Sequence, residues 1–171
     1  MEIVLGYEKH IDEIEQLIGE CIKEMNRTNI LQWDEKYPNR QFFKDAMKRK
    51  QLYIMICNNE IIGVVIINES QNSGWEAIKW NLKCKNILVI HSLAIKVGYQ
   101  GKGYGKTLLN YCENYARENG YHCIRLDTYS GNEYANRLYN NHGYKFVGDV
   151  KYTFKPSGHQ LYHCYEKDLQ N

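Results

Sequence analysis

Gln100-Gly101-Lys102-Gly103-Tyr104-Gly105 follows the strand-like run Asn86 to Lys96 and opens into a stretch of helical spacing. Three alternating glycines at that junction let backbone approach a ligand and take up positive φ. The first amides of the helix that follows are unpaired donors at the positive end of its dipole. The stretch therefore reads as an anion cradle, of the kind that holds phosphate. It is not a Walker loop, because Gln100 stands where that pattern needs its first glycine. It is not a dinucleotide fingerprint either, since Lys106 and Leu108 occupy the positions of the last glycine in the two possible registers. What remains is Q-x-x-G-x-G.

Around this stretch the periodicities lay out a chain of mixed elements. Ile11, Ile14, Leu17, Ile18, Cys21, Ile22 and Met25 predict an amphipathic helix over 9–26. A shorter helix is expected over 40–50, after a Tyr37-Pro38-Asn39 turn. Residues 52–57 and 61–67 read as a hairpin about Asn58-Asn59, with a possible bulge at Gly63. The run 86–96 is a strand, and Leu108, Leu109, Cys112, Tyr115 and Ala116 form the buried stripe of the helix after the glycines. A strand over 121–128, a helix over 133–141 and strands near 144–154 and 160–167 complete the order.

A second motif lies downstream, where Asn132-x-x-Ala135-x-x-Leu138-Tyr139-x-x-x-Gly143-Tyr144 follows Cys123-Ile124-Arg125-Leu126-Asp127. The two motifs, in this order, resemble those of the GCN5-related N-acetyltransferases, the GNAT superfamily, over residues 50–150. The resemblance implies an α/β (α+β) fold: a mixed, mostly antiparallel, splayed sheet of six to seven strands flanked by four helices, in one domain over 1–171. It implies an acetyl-CoA-dependent enzyme that moves an acetyl group to a primary amine by direct attack in a ternary complex. The alternative is a non-catalytic acyl-CoA-binding regulatory module.

By the same resemblance, the strand before the glycines bulges, so that the backbone of Leu93, Ala94 and Ile95 pairs with the pantetheine arm, and an amide near Leu93 polarises the thioester carbonyl. Gln100, Gly101, Lys102, Gly103, Tyr104, Gly105 and Lys106 wrap the pyrophosphate, chiefly through amides. Asn132 bonds the cofactor arm or caps its helix. Tyr139 protonates the departing thiolate. For the base that deprotonates the amine, Asp127, His91, a water relay and Glu69 stay open; imidazole ordinarily titrates near neutral pH. Trp33 and Tyr37, in the loop between the first two helices, are expected at the acceptor, with Asp34 and Glu35 drawing a cationic amine. Trp75 and Trp80 are either acceptor contacts or core.

Composition narrows the partners. The chain has 171 residues, with 22 Lys and Arg against 20 Asp and Glu, a formal charge of +2 that gives no general pull toward nucleic acid or anionic membrane. No apolar run approaches the roughly 20 residues of a membrane span, so a soluble cytoplasmic protein is expected, monomeric or homodimeric. Its 6 cysteines contain no CxxC pair and read as reduced core thiols, with no metal site. The 15 tyrosines read mostly as strand packing. A small-molecule or peptide amine is the expected acceptor.

Overall fold

In the computed structural model, which describes residues 1–170, the first element is one the sequence pattern does not announce. Strand β1 (Glu2–Leu5) is four residues long and pairs antiparallel with β2 (Leu52–Cys57). Helix α1 (Ile11–Arg27) buries Ile11, Ile14, Leu17, Ile18 and Cys21, the expected stripe. Helix α2 (Arg40–Lys48) is capped by Asn39, whose side chain accepts from the Phe42 amide at 2.9 Å. Asn58 and Asn59 both take positive φ, 50° and 61°, the turn that joins β2 to β3 (Glu60–Asn68) with the right twist. Then come β4 (Ile87–Ile95), α3 (Tyr104–Glu118), β5 (Cys123–Tyr129), α4 (Glu133–Asn141), β6 (Lys145–Lys151) and β7 (Leu161–Asp168). The strands form a seven-stranded sheet in the order β1-β2-β3-β4-β5-β7-β6. Strand β4 pairs parallel with β5, while β7 pairs antiparallel with both β5 and β6.

The chain divides into two compact units. The first comprises Met1–Ile67 and His91–Tyr111, the second Asn68–Ile90 and the chain from Cys112 onward. The first unit has an aliphatic core in which Ile14, Leu17, Phe43, Leu52, Ile54 and Ile66 are sealed from solvent. Its β2–β3 register jumps from Met55↔Gly63 to Ile56↔Ile61, which leaves Ile62 as a bulge beside Gly63. A Cβ on Gly63 would meet Ile95 Cδ1 at 2.9 Å and the Ala94 carbonyl oxygen at 3.4 Å. Glycine is needed there because β4 passes too close for a side chain.

The second unit is built on β5, which pairs with β7 along its whole length but with β4 only through Ile87, Leu88 and Val89. Its core is rich in polar and aromatic groups. Arg125 (β5) and Glu166 (β7) are partners in register and both are buried. Arg125 donates to Gln71 Oε1 and to the Leu82 carbonyl and stacks 4.0 Å from the Trp80 ring. Glu166 accepts the Asn81 and Leu82 amides. Together they tie down the long connection 69–86.

That connection also corrects the expectation of six reduced thiols. Cys84 and Cys123 form a disulfide, with Cα atoms 6.2 Å apart and a sequence separation of 39. The fold brings Cys84 to the start of β5, a proximity that spacing alone does not carry. Cys21, Cys112 and Cys164 are buried free thiols and Cys57 a half-buried one. Among the described residues no helix is long and apolar enough to cross a membrane, and no three His, Cys, Asp or Glu side chains are grouped to hold a metal ion.

Candidate functional site

The glycine stretch lies in the first unit, and its geometry follows from its sequence. One turn of 3-10 helix, Val97–Tyr99, leaves the end of β4. Gly101 and Gly103 then take φ of 74° and 88°, left-handed values that favour glycine, and α3 starts at Tyr104. The first intrahelical bond of this segment is Thr107 N–H to the Gly103 carbonyl, 3.1 Å. The six successive N–H groups from Gly101 to Lys106 donate to no acceptor among the described residues. A Cβ on Gly101 or Gly103 would meet nothing within 4 Å, so there is open space beside these two residues. Gln100 plays a different part: its side-chain amide donates to the Ile95 carbonyl at 2.9 Å and anchors the loop to β4. Lys102 and Lys106 are exposed, and the Lys102 ammonium donates to the Gly98 carbonyl at 2.9 Å.

Strand β4, which the resemblance expects to bulge, carries a conformational break at a residue that the pattern does not mark. Ser92 has φ 49° in mid-strand, an uncommon value for a residue with a side chain. It separates half-buried His91 from Leu93, Ala94 and Ile95, of which Ala94 and Ile95 are buried. The Ser92 hydroxyl hydrogen-bonds the Tyr37 hydroxyl at 3.2 Å. The loop expected at the acceptor thus reaches the strand expected at the cofactor arm, through a serine that carries no sequence signal. Tyr37 follows an Asx turn in which Asp34 Oδ1 accepts the Lys36 and Tyr37 amides, and its ring lies 4.9 Å from Phe42. Glu35 is exposed in the same turn. Trp33 packs half-buried on the aliphatic core.

The remaining candidates belong to the second unit. Asp127 Oδ2 accepts three donors: the Tyr152 hydroxyl at 2.5 Å, Trp75 Nε1 at 3.0 Å and Asn72 Nδ2 at 3.1 Å. Trp75 is 2% exposed, and its carbonyl accepts from Trp80 Nε1, so both tryptophans serve packing. Tyr139 is buried on α4, its ring 5.9 Å from both Tyr144 and Tyr165. Burial, and then the negative charge of Asp127, pushes its pKa well up, so it holds its proton throughout the neutral range. Asn132 caps α4 by accepting the Ala135 amide at 3.2 Å. Asn136, one helical turn on, was not foreseen; it donates to the Tyr129, Ser130 and Asn132 carbonyls and accepts from the Tyr165 hydroxyl. Glu69 accepts from the Tyr121 hydroxyl at 2.9 Å.

Comparison with known proteins agrees with this architecture. The model described as the acetyltransferase (GNAT) family matches residues 18–144. YhfO of Bacillus subtilis strain 168, named an uncharacterized N-acetyltransferase, is 28% identical over 106 residues; the match spans 61% of this chain and 66% of that protein, just under two thirds. A GNAT-family acetyltransferase structure from Streptococcus agalactiae 2603 is similar with a TM-score of 0.82 at 24% identity, covering 98% of this chain and 94% of that one. The structure of YncA from Salmonella typhimurium, described with its cofactor acetyl-CoA, superposes with a TM-score of 0.74 at 16% identity over 100% of this chain and 95% of that one. These two likenesses concern the fold.

Proposed function

Because the chain belongs to the acetyltransferase (GNAT) family, we propose that it transfers the acetyl group of acetyl-CoA to a primary amine of a small molecule or peptide, by direct attack in a ternary complex. The observation that carries this reading is the row of six unpaired amides from Gly101 to Lys106, with open space beside Gly101 and Gly103. A pyrophosphate fits that row by charge and by donor count, because consecutive N–H groups at a helix start attract an anion. Exposed Lys102 and Lys106 add positive charge beside it. The left-handed break at Ser92 supports the assignment of the Leu93–Ile95 backbone to the amide-bearing arm, since a strand broken there offers peptide groups that a regular ladder would consume.

Tyr139 is the proposed proton donor to the departing thiolate. Its raised pKa keeps the hydroxyl protonated at neutral pH, and its hydroxyl donates to no other group among the described residues. Asp127 is proposed as an architectural anchor, because three donors already occupy Oδ2. The amine's proton then passes to His91 or to water. Tyr37 and Trp33 are proposed to border the acceptor, and Asn132 to touch the cofactor arm while it caps α4.

The test is calorimetric titration of the purified protein with acetyl-CoA, alongside Gly103→Glu, which sets a bulky negative side chain in front of the amides. Wild type is expected to bind, and the variant to lose at least about a hundredfold in affinity, since it brings both bulk and like charge to the place of the anion. A wild type that does not bind acetyl-CoA removes the reading.

A further inference from the structure

The glycine stretch has no packing side chains of its own at Gly101 and Gly103, so its conformation is held from the residues just before it. Val97 packs on the aliphatic core. Gln100 Nε2 reaches the Ile95 carbonyl, which also accepts from Cys21 Sγ at 3.4 Å. The third hold comes from the start of β3. Glu60, the first residue of β3, places Oε1 2.5 Å from Lys96 Nζ and Oε2 2.5 Å from the Tyr99 hydroxyl. Lys96 and Tyr99 bracket the single 3-10 turn that delivers the chain to the glycines, so one carboxylate grips both of its ends. The Tyr99 ring in turn meets Tyr104, the first residue of α3, edge-on at 5.9 Å, and the Lys102 ammonium stands 5.6 Å from its centroid.

We infer that Glu60 is a positioning residue for the anion cradle: by fixing Lys96 and Tyr99 it sets the start of α3 and the place of the Lys102 charge. The inference rests on the proposed function and adds to it a group on β3 that touches no ligand. Charge-assisted bonds as short as these lower the Glu60 pKa, first through Lys96 and then through Tyr99, and raise those of both partners. The Glu60 side chain remains 37% exposed. Exposed ion pairs contribute little to global stability, so the geometry of the turn is what the contact secures.

The experiment measures acetyl-CoA affinity by titration calorimetry and melting temperature, for wild type, Glu60→Ala, Tyr99→Phe and the double variant. Glu60→Ala and Tyr99→Phe are each expected to weaken binding, Glu60→Ala by about tenfold, the scale of one hydrogen bond to a charged group. The double variant is expected to be no weaker than the worse single one, because both act through one contact. All should melt within about 3 °C of wild type, as surface pairs do. A merely structural role would move the melting temperature and leave affinity in place. Glu60→Ala affinity within twofold of wild type, or additive losses in the double variant, would overturn the inference while wild-type binding leaves the proposed function standing. If the wild type fails to bind, both fall together.

Discussion

The segment 96–106 of the first unit and the surroundings of Asp127 in the second treat polar groups in opposite ways. Six amides of the first keep their hydrogen bonds unspent, with open space beside Gly101 and Gly103. In the second, one carboxylate oxygen is consumed by Tyr152, Trp75 and Asn72, and Asn136 spends both its donor and its acceptor atoms on the β5–α4 junction and Tyr165. Unspent donors are what an incoming anion can use, whereas spent ones are architecture. Residue type alone does not separate the two, since aspartate and asparagine are equally common in sites and in scaffolds. The accounting of partners does.

The largest effect that would sharpen this contrast is alkaline unfolding driven by the second unit. Tyr139, Tyr144, Tyr152 and Tyr165 are all buried, and burial is the first cause that raises each of their pKa values above the usual tyrosine value near 10. The folded state then keeps protons that the unfolded chain gives up. Stability is undiminished below about pH 10 and is lost as pH rises from there through the folded values. Four such groups give a limiting slope of about 5 kcal/mol per pH unit. Denaturant melts at pH 9.5, 10.5 and 11.0, about the usual tyrosine value, should show this fall. A stability that stays level across that range would show that these rings are not sealed in the folded protein.

Next in size is Asp127→Ala. It strands the Trp75 N–H and the Tyr152 hydroxyl in a buried setting and is expected to cost about 4 kcal/mol by urea denaturation, from 1–3 kcal/mol per unsatisfied group. Asp34→Ala, which removes two amide bonds in an exposed turn of the first unit, should cost less than about 1 kcal/mol. If the two variants are equally mild, Asp127 is no anchor, and its carboxylate is again available as a base.

The sequence carried the parts of this molecule that repeat or that depend on local backbone. The stripe of α1, the Asn58-Asn59 turn, the bulge beside Gly63 and the left-handed glycines at 101 and 103 are all local, and all could be read. Strand β1 escaped because four residues carry too little alternation. The Cys84–Cys123 disulfide joins residues 39 apart without a spacing motif. Tyr152 and Glu60, and the bond of Trp75 to Asp127, escaped because the partners lie 25, 39 and 52 residues apart. The resemblance implies a bulge in β4, but its place at Ser92 left no trace in the residues, since a serine in an apolar strand looks the same whether its φ is extended or left-handed. Long-range pairing of polar side chains has no period, and that is where sequence reasoning stops.

The smallest effect separates backbone need from space in the cradle itself. Gly98 and Gly101 lie three residues apart, and an added Cβ would touch nothing within 4 Å at either. Only Gly101 has left-handed φ, at 74°. Gly101→Ala should therefore destabilise by about 1 kcal/mol through conformation alone, while Gly98→Ala should be neutral or stabilise slightly by narrowing the unfolded ensemble. Chemical denaturation of both, in the absence of ligand, measures the difference without any contact to complicate it. Equal values would mean that the loop relaxes around Gly101 and that the amides are not preset. A gap of the expected sign means that the cradle holds its donors in place before an anion arrives, at a conformational cost that glycine keeps small.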